Sequence, residues 1–396
     1  MALKFWRVRP TVQHSTWGAQ GERSLVRTFA EANSHGFPVD PSLCFAELWY
    51  GAHRSSPSLV PELSLTLAEV IGANPAQALG PAAERFGAEL PFLAKILSIR
   101  TPLSIQVHPS KAQAEMLHRA DPKHYPDANH KPEVAYTFTE LSLLSGFRAV
   151  DEIRAELSQF PELGAFLGDP RAWPEGDEAT IVRSLYSKIL NTEDIAPIVD
   201  AVVDRIRSLS NRSPNQSELL CAAEFFPSDR GLLSFLFLNV VCVPPGTMLF
   251  TPAGVPHSYL RGEIFECMAA SDNVIRVGLT PKFQDRKALL ECADFHPREP
   301  QIITPDVLHA GVSRYKLPVD EFLITHQIFD SQCPRYADSI SGAEMWIVTK
   351  GSLELSTQNT AAESLGAGGC LYFPCQQSDF SIQSQAAELI RIAIPR

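Results

Sequence analysis

No stretch of this 396-residue chain approaches the roughly 20 apolar residues that a membrane-spanning helix needs. No C-x-x-C pair occurs among its eight cysteines, Cys44, Cys221, Cys242, Cys267, Cys292, Cys333, Cys370 and Cys375. They are scattered, mostly within apolar runs, which argues against a zinc ribbon or a disulfide frame and for buried, reduced thiols. Excess positive charge is also missing. A net charge of −11 excludes a general binder of nucleic acid or anionic membranes. The start, MALKFWRVRPTVQHSTWG, lacks the long uncharged apolar segment of a secretory signal. These absences lead us to expect a cytoplasmic protein with no nucleic-acid or membrane partner. An anionic ligand would have to be met by positive charge gathered locally.

What is present describes an ordinary globular chain, 45% apolar and 20% charged, long enough for two or three domains. Residues 1–149 mix short alternating segments such as LCFAELWYGAH and LLSGFRAV with two helical patches, SLTLAEVIGANPAQAL and SKAQAEMLHRA. Near Val150 the character changes. VDEIRAELSQFPELGAFL has helical periodicity behind an aspartate that could cap it. DIAPIVDAVVDRIRSLSN spaces Ile198, Val202 and Ile206 by four, with Val199 and Val203 beside them, one apolar stripe of an amphipathic helix. This block, about 150–225, holds no histidine and is expected to serve packing or to wall a pocket. Strand patterns return from LLSFLFLNVVCVPPGTMLF onward, and a last β-rich block runs over 311–396.

The candidate chemistry begins at SIQVHPSKAQAE, a strand that breaks into a helix at a proline. Strand side chains alternate, so Ser104, Gln106 and His108 share one face, with Ile105 and Val107 on the other. Such a polar face is either wet or lines a cavity. Further on, GTMLFTPAGVPH has the spacing G-x5-P-x-G-x2-H, with Gly246 turning into a strand, Pro252 and Gly254 turning out, and His257 pointing back. This resembles the second motif of the cupins, small antiparallel jelly-roll barrels in whose metal-binding members that histidine is a ligand. Cupins usually supply H-x-H and a glutamate elsewhere. Gln106-x-His108 has the same period of two, and HKPEVAY offers Glu133 on a strand with Lys131 two residues before it. Nitrogen and oxygen donors without a thiolate suit Zn²⁺. One carboxylate and two imidazoles would leave the site at net +1, favourable for sugar oxygens.

The segments FAELWYGAH, LSIRTPLSIQVHPSKAQAE, YPDANHKPE and GVPHSYLRGEIFECMAASDNVIRVGLTPK together resemble the type I mannose-6-phosphate isomerase (phosphomannose isomerase) family, over about residues 1–149 and 235–285. The resemblance implies a mainly β fold with a helical insertion: two cupin-type jelly-roll barrels plus an all-helical subdomain. It divides the chain into a catalytic cupin domain (1–149 and 226–310), a helical domain (150–225) and a C-terminal cupin-like domain (311–396). The last carries GCLYFPCQQSDF without a following histidine, so it is expected to be free of metal. The resemblance further implies one Zn²⁺ per chain held by Gln106, His108, Glu133 and His257. Arg276 in SDNVIR matches the family's active-site arginine, while Ser104, Lys131, Glu266, Asp272 and Lys282 match positions lining its substrate pocket.

The activity so implied is the interconversion of mannose 6-phosphate and fructose 6-phosphate through a cis-enediol, feeding GDP-mannose synthesis and protein glycosylation. The partner is a small phosphosugar, and a monomer is expected. Arg276 suits an electrostatic part, holding either the enediolate or the phosphate. The base that takes the carbon-bound proton stays open between Lys131, Glu266 and Asp272, with hydroxyl or phosphate binding as the other role for Lys131. Two further readings compete: a cupin using iron or copper for oxygen chemistry, disfavoured by Gln106 in place of a histidine, and a sugar-phosphate sensor without turnover.

Overall fold

A computed structural model describes all residues except 1–3, 22, 34–39, 41, 171–172, 174–175, 358–359 and 396. The fold is mainly β, its sheets antiparallel, with a run of helices between residues 150 and 223. Two compact units are built from interleaved segments: Met1–Ser98, Phe265–Ala270 and Ile303–Arg396 in one, Ile99–Ile264 and Ser271–Ile302 in the other.

The second of these units carries the polar strand. Ile105–Val107 pairs antiparallel with Ile275–Gly278 on one side and with the start of His257–Ala269 on the other. His257–Ala269 pairs in turn with Leu141–Phe147, and that strand with Leu238–Val243. Register places Ser145 opposite His257, His257 opposite Gln106, and Gln106 opposite Arg276. Directly opposed residues project from the same face of a sheet, so these four form one row across four strands. Ile105 and Val107, on the other face, are fully buried in a cluster with Phe147, Tyr186, Val199 and Leu236. The helices supply that cluster, and the apolar face is what frees its opposite to carry polar side chains.

The helix starts follow local chemistry. Ser110 caps Lys111–Ala120 in a reciprocal capping box with Gln113, and Ser213 does the same for Pro214–Ala223 with Gln216. Ala196–Ser208 buries Val199, Val202, Val203 and Ile206, the stripe its spacing predicts. VDEIRAELSQFPELGAFL differs from its single-helix expectation. It forms two helices, Val150–Leu157 and Pro161–Leu167, because proline disfavours helical backbone at the preceding Phe160. Asp151 is not the cap either; Ala149 holds that position, and Asp151 sits in the first turn, where it complements the helix dipole. LLSFLFL also departs from its expected strand. Arg230–Leu236 is a 3₁₀ helix, started by the Asp229 side chain accepting from the Gly231 N–H and braced by the Tyr186–Ser234 hydroxyl pair at 2.6 Å.

In the first unit, Glu344–Thr357 is the longest strand, paired with Cys370–Phe373, Ala387–Ala393, Thr360–Gly366 and Ser378–Gln383. Trp346 is its fully buried centre, 4.4 Å from the Phe373 ring and 4.8 Å from Phe380.

Gly254 shows how a turn serves the rest of the second unit. Its φ of +83° belongs to the left-handed region. Its N–H donates to the His108 carbonyl at 2.9 Å, and its carbonyl accepts from the Asp294 N–H at 2.8 Å. A Cβ there would stand 3.1 Å from the Cys292 carbonyl oxygen. Gly254→Ala should therefore lower stability by about 1–3 kcal/mol, read as a reduced urea midpoint; an unchanged midpoint would show the turn to be lax.

Candidate metal centre

Three strands deliver three ligands to one buried point. His108 follows Ile105–Val107, Glu133 opens Glu133–Thr137, and His257 opens His257–Ala269. Glu133 is fixed by pairing with Thr251, at the end of the strand that leads into the Pro252–Gly254 turn. His108 Nε2 lies 3.2 Å from Glu133 Oε2, and His257 Nε2 lies 2.9 Å from Glu133 Oε1. All three side chains are buried, and their donor atoms lie within 4.8 Å of one another.

The far sides of both imidazoles are already spoken for. His108 Nδ1 donates to the Asn273 carbonyl at 3.1 Å, and His257 Nδ1 donates to the Val255 carbonyl at 2.9 Å. A neutral imidazole protonated at Nδ1 presents a bare lone pair at Nε2. Two such lone pairs and a carboxylate thus converge with no proton to join them, a donor set that fits a divalent cation and is oriented as histidine ligands usually are. Gln106 stands beside them, its Nε2 3.4 Å from His257 Nε2. Half a turn of that amide presents its oxygen, a neutral fourth donor.

Charge around the point is arranged to keep Glu133 ionised. Burial by itself raises a carboxyl pKa, but Lys131, His108 and His257 outweigh it and hold Glu133 well below the usual carboxylate range. Lys131 Nζ donates to Glu133 Oε2 at 3.2 Å and lies 3.5 Å from His108 Nε2. Burial, with the Lys131 ammonium adding to it, pushes the His108 imidazole down to about 4.

The remaining sequence-selected residues divide. Arg276 is half-buried beside Gln106 in the row, and no carboxylate pairs with it among the described residues. Ser104 is half-buried just before the same strand. Asp272 donates its backbone N–H to Asp127 Oδ2 at 2.8 Å, and Lys282 has an exposed side chain. Glu266 belongs to the first unit, buried, 3.0 Å from Lys95 Nζ, which also reaches Glu47 at 3.4 Å.

Sequence reasoning passed over the residues that orient the ligands. Asn273 is fully buried. Its side-chain amide donates to the Asp127 carbonyl, Asp127 Oδ1 and the Asn129 carbonyl at 2.7–3.0 Å, leaving its own carbonyl to hold His108. Ser271 Oγ donates to Asp127 Oδ1 at 2.8 Å. The signal lay in the SDN and YPDAN segments, whose small polar residues tie one loop to the other. Tyr259, whose hydroxyl is 3.4 Å from Glu133 Oε1, had no such signal.

Comparison with known proteins agrees with this geometry. A family model described as phosphomannose isomerase type I, catalytic domain, matches residues 5–150. A mannose-6-phosphate isomerase of Ogataea parapolymorpha is 34% identical over 98% of this chain and 97% of its own. The chain belongs to the type I mannose-6-phosphate isomerase family. Another member, from Saccharomyces cerevisiae, is 34% identical over 89% of this chain and 90% of its own. The family likeness extends to the backbone: the mannose 6-phosphate isomerase of Salmonella typhimurium, solved with substrate (f6p) and a zinc atom, superposes with a TM-score of 0.86. It is 27% identical and covers 99% of this chain and all of its own. Membership makes this chain an isomerase, with the cupin-type fold of the family.

The charge arrangement has a pH consequence for protein stripped of metal. His108 protonates at about 4 when folded and near 6.5 when unfolded. The unfolded chain therefore binds more protons between those values, and stability falls as pH drops from 6.5 towards 4. Glu133, depressed in the folded state, adds its own loss only below about 4.5. Unfolding midpoints of the stripped protein across this range should show the decline, and His108→Asn should remove its upper part; a flat profile in the unsubstituted protein would contradict the assignment.

Proposed function

We propose that the chain interconverts mannose 6-phosphate and fructose 6-phosphate, with one Zn²⁺ held by Gln106, His108, Glu133 and His257. The observation that carries this reading is the convergence of two bare imidazole nitrogens on a buried carboxylate, next to an arginine that has no acidic partner among the described residues. When bound, Zn²⁺ supplies Lewis acidity that stabilises negative charge developing on the sugar oxygens, an effect of several kcal/mol.

The protein's own groups do the rest. Arg276 keeps its charge at any working pH and, being half-buried, meets an anion in a medium where water screens it weakly. It stabilises the enediolate that forms as the proton moves between C1 and C2. Lys131, a buried ammonium on the Glu133 carboxylate, is placed to exchange protons with sugar hydroxyls. Ser104, Asp272 and Lys282 serve substrate binding, and Glu266, ion-paired with Lys95, is assigned that role from the family resemblance alone. In this reading residues 1–149 and 226–310 are the catalytic domain, 150–225 the helical domain, and 311–396 a metal-free partner barrel. The protein acts as a cytoplasmic monomer supplying mannose 6-phosphate for GDP-mannose and glycosylation.

Purified protein should contain about one zinc per chain by elemental analysis and convert mannose 6-phosphate to fructose 6-phosphate in a manner abolished by chelation. Stoichiometric iron or copper, with turnover indifferent to chelation, would overturn the proposal. Arg276→Ala should keep its zinc while kcat and kcat/KM fall together, by about 10²–10³-fold for loss of one charged donor. A raised KM with unchanged kcat would assign Arg276 to the phosphate instead.

A further inference from the structure

The first unit has a polar row of its own. Strand register sets Asp306 opposite Arg314, Arg314 opposite Thr325, Thr325 opposite Arg391, and Arg391 opposite Trp346. These side chains share the face that elsewhere packs the core around Trp346. Of these, Arg314, Thr325 and Arg391 line a cavity of about 360 Å³, within the range of small-molecule sites. Its polar lining includes Arg314, Thr325, Tyr336, Asp338, Glu344 and Arg391.

The charges in that lining are unequally committed. Arg391 is buried and ion-paired: its Nε and Nη2 donate to both Glu344 oxygens at 2.8–3.1 Å, and its Nη1 reaches Asp338 at 3.4 Å. Its guanidinium also lies 4.9 Å from the Trp346 ring centroid, which fixes it further. Arg314 is different. Its one cross-strand carboxylate, Asp306, is taken by Lys316 at 2.8 Å. Among the described residues Arg314 has no ion-pair partner, and its Nε is buried without an acceptor. A guanidinium facing a cavity, with its buried Nε unmet and no ion-pair partner among the described residues, calls for an anion.

We propose that this cavity binds a small anionic polyol: one phosphate or carboxylate seated on Arg314, carried by a sugar-sized hydroxylated frame. A metal cation is excluded by the two guanidinium groups. A dianion anchored at two points would need a second uncommitted cation, and Arg391 is spent on Glu344. Hydroxyl groups of the ligand would meet Asp338, which accepts from the Tyr336 hydroxyl at 2.8 Å and retains further acceptor capacity, and the Thr325 hydroxyl. This site shares no residue with the His108–Glu133–His257 centre.

The test is calorimetric titration of the zinc-loaded full chain with inorganic phosphate, gluconate and 6-phosphogluconate, repeated on Arg314→Gln, Arg314→Lys and Arg276→Ala. Binding should weaken about tenfold or more in Arg314→Gln, as expected for loss of one charge-assisted contact, and less in Arg314→Lys. It should persist in Arg276→Ala. Isomerase activity and the unfolding midpoint of Arg314→Gln should match the unsubstituted protein, showing that the loss is local. Gluconate bound without phosphate marks a carboxylate site; phosphate and 6-phosphogluconate bound without gluconate mark a phosphate site. Absence of binding by all three probes up to about 10 mM, or equal binding by Arg314→Gln, would overturn the proposal, as would loss of binding in Arg276→Ala alone.

Discussion

A fully buried carboxylate is the constraint from which the rest of the second unit follows. Glu133 cannot be kept ionised away from water unless proton donors or positive charge face it, since an isolated buried charge is costly. Lys131, two residues earlier on the chain, supplies a cation, while His108 and His257 supply nitrogens aimed at its two oxygens. Each histidine is aimed by a backbone carbonyl, so the orientation of the rings is a property of the Asn273 and Val255 backbone rather than of the rings themselves. Removing one histidine would subtract a donor and leave the carboxylate facing Lys131 with an incomplete set around it.

Strand register turns this local arrangement into a row. Ser145, His257, Gln106 and Arg276 come from four strands and face one way because their partners on the opposite face are packed against helices. The first unit uses the same device with a different outcome. Arg314, Thr325 and Arg391 occupy a row beside a buried tryptophan, and arginines in place of metal ligands make the face anion-seeking instead of metal-binding.

Much of this was legible in the residues because the controlling signals were local. The period of two in SIQVH, the capping box at Ser110 and the Pro252–Gly254 turn each specify backbone within a few residues, and the structure has them. Zinc-type donors could be gathered from spacing plus family likeness. The oriented second layer was not legible, since Asn273 acts through its main-chain carbonyl, which any residue possesses. The break at Phe160 is marked by a proline, yet apolar periodicity continues across it and suits a single helix equally well. The 3₁₀ helix at Arg230 hid within a run of apolar residues that suits a strand equally well.

The donor set also has a history in time. Gln106 and His257 stand 151 residues apart in the chain. At 5–20 residues per second, synthesis takes roughly 8–30 s to travel that distance. From the synthesis of Glu133 onward, His108 and Glu133 wait for His257, and the helices between residues 150 and 223 are made before the strand that bears it. The complete donor set therefore becomes available only after its helical support has been made.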